Sequence, residues 1–417
     1  MAETFKLTNV SPMPAPTWGW LKMNDAAIDL DVNTAAAGAV SVEGADGLRG
    51  SANDFATALA ALDVRFPGRR ASAPGDAADR ARVAGNEDET LDVPALSAYQ
   101  ETAVHLEEEC GPADALEHAL STTPAAWLEG VAGEPTVLKL EPYAKADVTV
   151  RVNGADAAAA VASIAVTAGR QSQLNLTVAL DSPATGAGVV GSLLKVVADE
   201  HATVNVTCVQ TLDDAWTAID TSAFVLDEGA HVNVQHTVLG AGASYTSLAG
   251  ELWGDTAKMT VDTDYLGARQ QNRDFNYSIR HLGRKTESAM DANGVLTGSA
   301  KKVLRGTIDL VHGCKGSEGS ERETVLLANK GVDNKTVPTI LCDEDDVAGN
   351  HGATIGHVRD EQLFYLACRG LSQTDAENLF IRAKLEDAAL SAADEQVRAG
   401  VCRLGNQLIS NFEEDLA

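Results

Sequence analysis

The stretch 338–369, PTILCDEDDVAGNHGATIGHVRDEQLFYLACR, concentrates residues whose types could do chemistry. His351 and His357 supply imidazoles, which bind iron and titrate near neutral pH. Asp343, Glu344, Asp345 and Asp346 could add hard oxygen ligands, although a solvated acidic turn is the simpler reading. Cys342 and Cys314 are soft-ligand candidates placed in or beside strands, where packed thiols are the commoner use. His351 leads, because Gly349 and Gly352 flank it and leave the backbone open. Its plain alternative is a histidine that satisfies buried backbone groups at a domain junction.

Other chemistry finds less support. There is no GxxxxGK[ST] loop, so any use of ATP must come from a partner. GxSxG, HExxH and a helix-opening GxGxxG are absent too. Asp262 and Asp264 could form the paired acids of a polysaccharide-active enzyme. Aromatic residues for sugar stacking make up only 5% of the chain, which weakens that reading. His231 and His236 are five apart on an alternating strand, point to opposite faces and cannot chelate jointly. His201 and His312 have no evident partner.

Composition narrows the class. The 417 residues suffice for two or three domains. A net charge of −28 argues against a non-specific hold on nucleic acid or anionic lipid. The six cysteines show no CxxC spacing, so reduced thiols are expected rather than a zinc ribbon or a ferredoxin-type cluster. The start, MAETFKLTNV, lacks a basic and then apolar leader, and no apolar run is long enough to cross a bilayer. A cytoplasmic protein is the expectation.

These residues need elements to position them. Residues 1–130 read as an irregular and helical region. Pro12, Pro14 and Pro16 favour extended backbone, and Trp18 and Trp20 form an aromatic anchor. Helical spacing covers 54–62, 95–108 and 113–120, with a polar loop over 71–90. Residues 131–350 change period. One alternating motif begins at Ala146, Ser172, Ala202, Ala230 and Ala257, at intervals of 26, 30, 28 and 27 residues. A second strand falls inside each interval, at 162–167, 193–197, 223–226, 245–252 and 275–280. Strand, turn and strand with a near-constant advance predict a parallel β-helix, because a single coil cannot bury its own apolar face. An antiparallel sandwich is the competing architecture. Lys301, Lys302 and Arg305 read as a basic patch in an acidic protein. Residues 351–417 read as a helical tail, with helices opening at Asp360, near Ser372 or Thr374, and at Asp394.

The junction carries a resemblance. His351-Gly352-Ala353-Thr354, then Leu363-Phe364-Tyr365 and Arg369-Gly370, followed by Thr374-Asp375-Ala376, resembles the SufB/SufD family of iron–sulfur cluster assembly proteins. Gly352 points to the SufD branch, since SufB has glutamate there. SufB also places a cysteine close to the position of Glu323, and some SufD proteins place one at that of Gly349; both thiols are missing here. The resemblance implies a mainly β fold, a right-handed parallel β-helix core flanked by helical regions. It implies a non-catalytic scaffold subunit that pairs with SufB, or with itself, through the β-helix. It implies that the helical tail docks the SufC ATPase through Leu363, Phe364, Tyr365, Arg369, Leu379 and Phe380. His351 would face a transient iron or iron–sulfur cluster at the interface with SufB, with no stably bound cofactor. A SufB-like scaffold that holds the cluster by itself is the nearest alternative.

Overall fold

The computed structural model describes residues 3–13, 23–66, 111–120, 122–328, 330–409 and 411–416. Trp18 and Trp20, the helix expected over 95–108 and the loop expected over 71–90 lie outside these residues.

The body is a parallel β-solenoid of about eight turns. Its lower numbers are β1 (Glu3–Val10), β2 (Ala26–Ala37), β3 (Ala39–Glu43) and β4 (Thr136–Leu140). One sheet is then built from β5 (Lys145–Asn153), β7 (Gln173–Asp181), β9 (Thr203–Gln210), β11 (His231–Val238), β13 (Lys258–Gly267), β15 (Glu287–Leu296), β17 (Glu318–Leu327) and β19 (Ala348–His357). The facing sheet takes β6 (Ala158–Ala168), β8 (Gly188–Ala198), β10 (Trp216–Leu226), β12 (Ala243–Leu252), β14 (Asn272–His281), β16 (Lys301–Leu310) and β18 (Asp333–Cys342). Every pairing among β4 to β19 is parallel. The competing sandwich is excluded by that pattern.

Alternation produces the core. Val148, Val150 and Val152 stack under Leu176, Val178 and Leu180 and their successors, facing Ala162, Ile164 and Val166 of the other sheet. Each such side chain contributes about 1.5–3 kcal/mol of burial. The corners repeat as well: Tyr143, Gln171, His201, Gly229, Thr256, Lys285 and Gly316 all take positive φ, one per coil. Outside, Asp147, Asn175, Asn205, Asn233 and Thr260 form a hydrogen-bonded ladder with 2.7–2.8 Å links. The register corrects one motif start. Lys145 pairs with Gln173, so Ala144 rather than Ala146 stacks on Ser172, and the first interval joins the others.

The N-terminal stretch is more regular than expected. β1 and β2 pair antiparallel, burying Leu7, Ile28, Leu30 and Val32 against the solenoid flank and the helix Thr123–Ala132. Among the described residues three helices belong to this side: α1 (Ala52–Arg65), α2 (Pro112–Ala119) and α3 (Thr123–Ala132). The prolines at the end of β1 masked an alternation that marks strands. β3 pairs antiparallel with β5 and closes that end of the sheet that runs from β5 to β19.

The tail comprises α4 (Asp360–Cys368), α5 (Gln373–Leu390), α6 (Glu395–Leu408) and α7 (Phe412–Leu416). Ser372 caps α5 through a reciprocal pair with Asp375, at 3.1 and 3.0 Å. Ile381, Leu385, Val401, Leu404 and Phe412 pack on Leu239, Leu266 and Val295 of the solenoid. Arg151–Asp394 and Arg403–Asp181, each at 2.6 Å, clasp α6 to the same wall.

Candidate functional site

The solenoid is covered at one end and open at the other. β18 and β19 have a strand neighbour on one side only among the described residues. In β17, Glu321, Glu323 and Val325 point inward and are buried. β19 continues the register: His351 stands on Glu321, Ala353 on Glu323 and Ile355 on Val325. Residues opposite one another in a parallel pair share a face. His351, Ala353 and Ile355 therefore occupy core positions of a coil that no described strand covers. Val325 is 2% exposed, whereas Ile355 in the same column is 49% exposed. The first residues of the stretch read as a helical tail, 351–357, thus belong to the last solenoid strand, which runs past residue 350 to His357.

Beneath this rim lies a buried charged cluster. Lys302 contacts Glu323 through an ion pair whose side chains are 0% and 1% exposed. Tyr265 Oη donates to Glu323 Oε1 at 3.1 Å, and Thr336 donates to the other carboxylate oxygen. Burial lowers the Lys302 ammonium, and Glu323 opposes that effect. Glu321 is pushed up to about 7, first by burial and then by the Glu323 carboxylate, with Lys302 offsetting part of it. Gly306 makes the room: a Cβ there would meet Glu321 Oε1 at 2.3 Å. Of the expected basic patch, Lys301 is exposed but Lys302 and Arg305 are interior. Lys302 serves Glu323, and Arg305, also buried, holds Asp274 at 2.7 Å and Met23 O at 2.6 Å. The rim thus offers an accessible imidazole over a carboxyl near its titration point. An imidazole and a carboxyl are fewer donors than a metal ion needs, so any cation held at the rim would take further ligands from elsewhere.

The other candidates are spread out. His357 is exposed at the end of β19. Glu344 spends its carboxylate on the turn, accepting from Gly313 N at 3.0 Å, with His312 3.8 Å away. Backbone N–H groups, Gly313 first, hold Glu344 below the usual carboxylate range. Cys342 is exposed, whereas Cys314 is sealed, and burial pushes its thiol up to about 12. On α4, Phe364 is 72% and Tyr365 56% exposed, and Arg369 lies 5.0 Å over the Tyr365 ring. Leu363 is half-buried, and Leu379 is exposed on α5. Phe380 is half-buried and packs against the tail's own core. Asp264 is paired with Lys384 of α5 and accepts from Gln235 at 3.2 Å. This chain therefore uses Asp264 to seat its tail, beside Asp262, rather than to line a sugar groove.

Comparison with known proteins bears on this geometry. The model of the SUF system FeS cluster assembly SufBD core domain matches residues 150–384, more than half of the chain and most of the solenoid. The chain belongs to the SufB/SufD family. It is most like SufD. The Bacillus subtilis iron–sulfur cluster assembly protein SufD is 32% identical over 130 residues, 31% of this chain and 30% of that protein. Escherichia coli SufD is 25% identical over 185 residues, 44% of each chain. A SufBD family protein of Mycobacterium tuberculosis is 26% identical over 198 residues, 48% of this chain and 23% of that one. The matches span less than half the length of each of these relatives. SufB/SufD proteins are scaffold-type subunits of iron–sulfur assembly. No described helix is long and apolar enough to cross a membrane.

One cluster escaped the sequence reading. Cys208, Asp220 and His236 are buried together inside the solenoid. The signal was present: Cys208 and His236 end consecutive copies of the repeated motif, so they must stack, as the register shows. His236 was judged only against His231 on its own strand. Burial, then the Asp220 carboxylate, pushes the Cys208 thiol well above its ordinary range.

Proposed function

We propose that this chain is a SufD-like, non-catalytic subunit of an iron–sulfur cluster assembly scaffold. Its open solenoid end would pair with a SufB-like subunit, or with a second copy when alone. The observation that carries this reading is the last coil, whose core-position residues His351, Ala353 and Ile355 are exposed beside two unpaired strand edges. Exposed edges and apolar core positions are costly in isolation and favour pairing. His351 would then lie at the junction, where it would help to place iron or a nascent cluster whose thiolates come from the partner. Phe364, Tyr365 and Arg369 of α4, with Leu379, would dock a SufC-type ATPase, since they stand clear of the tail's own core. ATP hydrolysis belongs to that partner.

The test is assembly. The purified chain mixed with SufB-like and SufC-type proteins should give one complex by gel filtration with light scattering. Elution of all three as separate species would refute the reading. A stable cluster on the isolated chain, seen by absorption and Mössbauer spectra after anaerobic reconstitution, would favour the SufB-like alternative instead.

A further inference from the structure

We propose that Cys208, Asp220 and His236 form a closed site, inside the solenoid, for one divalent transition-metal ion of the zinc type. Cys208 on β9 and His236 on β11 are directly opposed in register, and Asp220 reaches across from β10 of the facing sheet. Their ligand atoms all lie within 4.8 Å of one another. Asp220 Oδ2 and His236 Nε2 are 3.7 Å apart, too far for a hydrogen bond. A tetrahedral ion with bonds of about 2.0–2.3 Å sets its ligands roughly 3.3–3.8 Å apart, so this pair already has the required span.

The independent sign is an orphan. His236 is 1% exposed, and its Nε2 has no hydrogen-bond partner. Its other nitrogen is committed: Nδ1 is 3.2 Å from Tyr277 Oη, which is 2.9 Å from Thr263 Oγ1. Such a relay fixes ring orientation and tautomer for a metal-bound imidazole. Asp220 is arranged likewise. Ser192 Oγ donates to its Oδ1 at 2.6 Å and leaves Oδ2 facing the imidazole. If Nδ1 carries the proton, two lone-pair donors face each other in a sealed interior, which a cation between them resolves. The three residues line a cavity of about 10 Å³ with Ser244 and Thr246, room for one ion or water.

A thiol, an imidazole and a carboxylate make a borderline donor set that suits zinc, cobaltous or ferrous ions and not calcium or magnesium. Loading would exchange the Cys208 thiol proton for the metal and release that proton to solvent. His236 is four ladder steps from His351 and Cys208 five, about 19–24 Å at the spacing of strands, so the site is distinct from the rim. Its burial means that the ion enters as the coils close. It then pins two coils and both sheets together.

The experiment uses the full chain, unfolded and refolded anaerobically with cobaltous ion and then stripped of loose metal with chelator. One cobalt per chain is expected, with a thiolate-to-cobalt charge-transfer band in the near ultraviolet. Metal analysis of the natively purified protein should give about one zinc. Cys208→Ser should abolish the band and lower bound metal at least tenfold. His236→Gln should do the same with unchanged far-ultraviolet circular dichroism, which guards against misfolding of the first variant. Cys342→Ser, at an exposed thiol, should leave both readings intact. Absence of bound metal in the wild type would overturn the proposal. Retention in folded Cys208→Ser or His236→Gln, or loss in Cys342→Ser, would do so too. One iron and no zinc in the native protein would overturn its assignment as a zinc-type structural site.

Discussion

Lys302→Met should be among the most damaging single substitutions in this chain, and a second change should rescue it. Lys302 is the cation paired with Glu323, and both side chains are essentially unexposed. Glu321, also buried, sits on the same inward face two residues away. Removing the ammonium leaves two carboxyls in the core with no counter-charge. Breaking a buried pair from one side costs about 3–5 kcal/mol, against 0–1 for an exposed pair. That is a large share of a typical folding stability of about 5–15 kcal/mol. Glu323→Gln should cost a similar amount, because it strands the ammonium. In Lys302→Met/Glu323→Gln both charges of the pair are gone and only the Glu321 carboxyl keeps no counter-charge, while the new amide can accept from one of the Tyr265 and Thr336 hydroxyls that now hold the two oxygens of Glu323 and donate to the other. The double variant should therefore lose no more than about 2 kcal/mol, which makes the coupling at least about 4 kcal/mol when each single costs about 3. Urea denaturation followed by circular dichroism at pH 7 measures all four proteins. Additive losses would refute the picture of one coupled buried cluster beneath the rim.

His281 is sealed between Thr286 and Ser288 by 2.8 Å hydrogen bonds, and burial lowers it to about 4 from an ordinary 6.5. Its folded pKa lies below the unfolded one, so the stability it contributes is present above pH 6.5 and is lost as pH falls toward 4. Relative to His281→Gln, the wild type should lose about 3 kcal/mol over that window in denaturation curves, and parallel curves would contradict this. Ile355→Asp should leave the melting temperature within a degree or two, since Ile355 is 49% exposed, but weaken pairing with a SufB-like subunit at least tenfold in light-scattering titrations. Phe364→Asp should weaken binding of a SufC-type ATPase by at least tenfold in calorimetry, also without loss of stability; unchanged affinity would remove α4 from the docking surface.

Much of the fold was legible because a solenoid writes its period into the chain. Leu174, Val204, Val232 and Met259 recur at one inward position, and that regularity survives any uncertainty about the ends of single strands. Where the signal was local and ambiguous, the reading slipped. Ala144 and Ala146 are equivalent small residues, so the first motif could start at either, and only cross-strand pairing decides. Lys302 looked like surface, yet it shares the parity of Leu304 and Ile308 and so points inward. Arg305 has the other parity and is buried by a contact from far away in sequence, the carbonyl of Met23, which no local pattern announces. His351 was found as a residue, but its neighbour was not. That it stands on Glu321 follows from the spacing of coils, one ladder step apart. Cys208 and His236 were equally available by that rule; Asp220, from the other sheet, was not, because the relative placement of the two sheets is not written in either strand.

Amide hydrogen exchange, followed by mass spectrometry before and after mixing with a SufB-like subunit, tests the central claim most directly. The account predicts new protection concentrated in 333–342 and 348–357, the two strands with an open edge, with the earlier coils unchanged. Complex formation that protects other surfaces and leaves those strands exchanging as freely as before would contradict it.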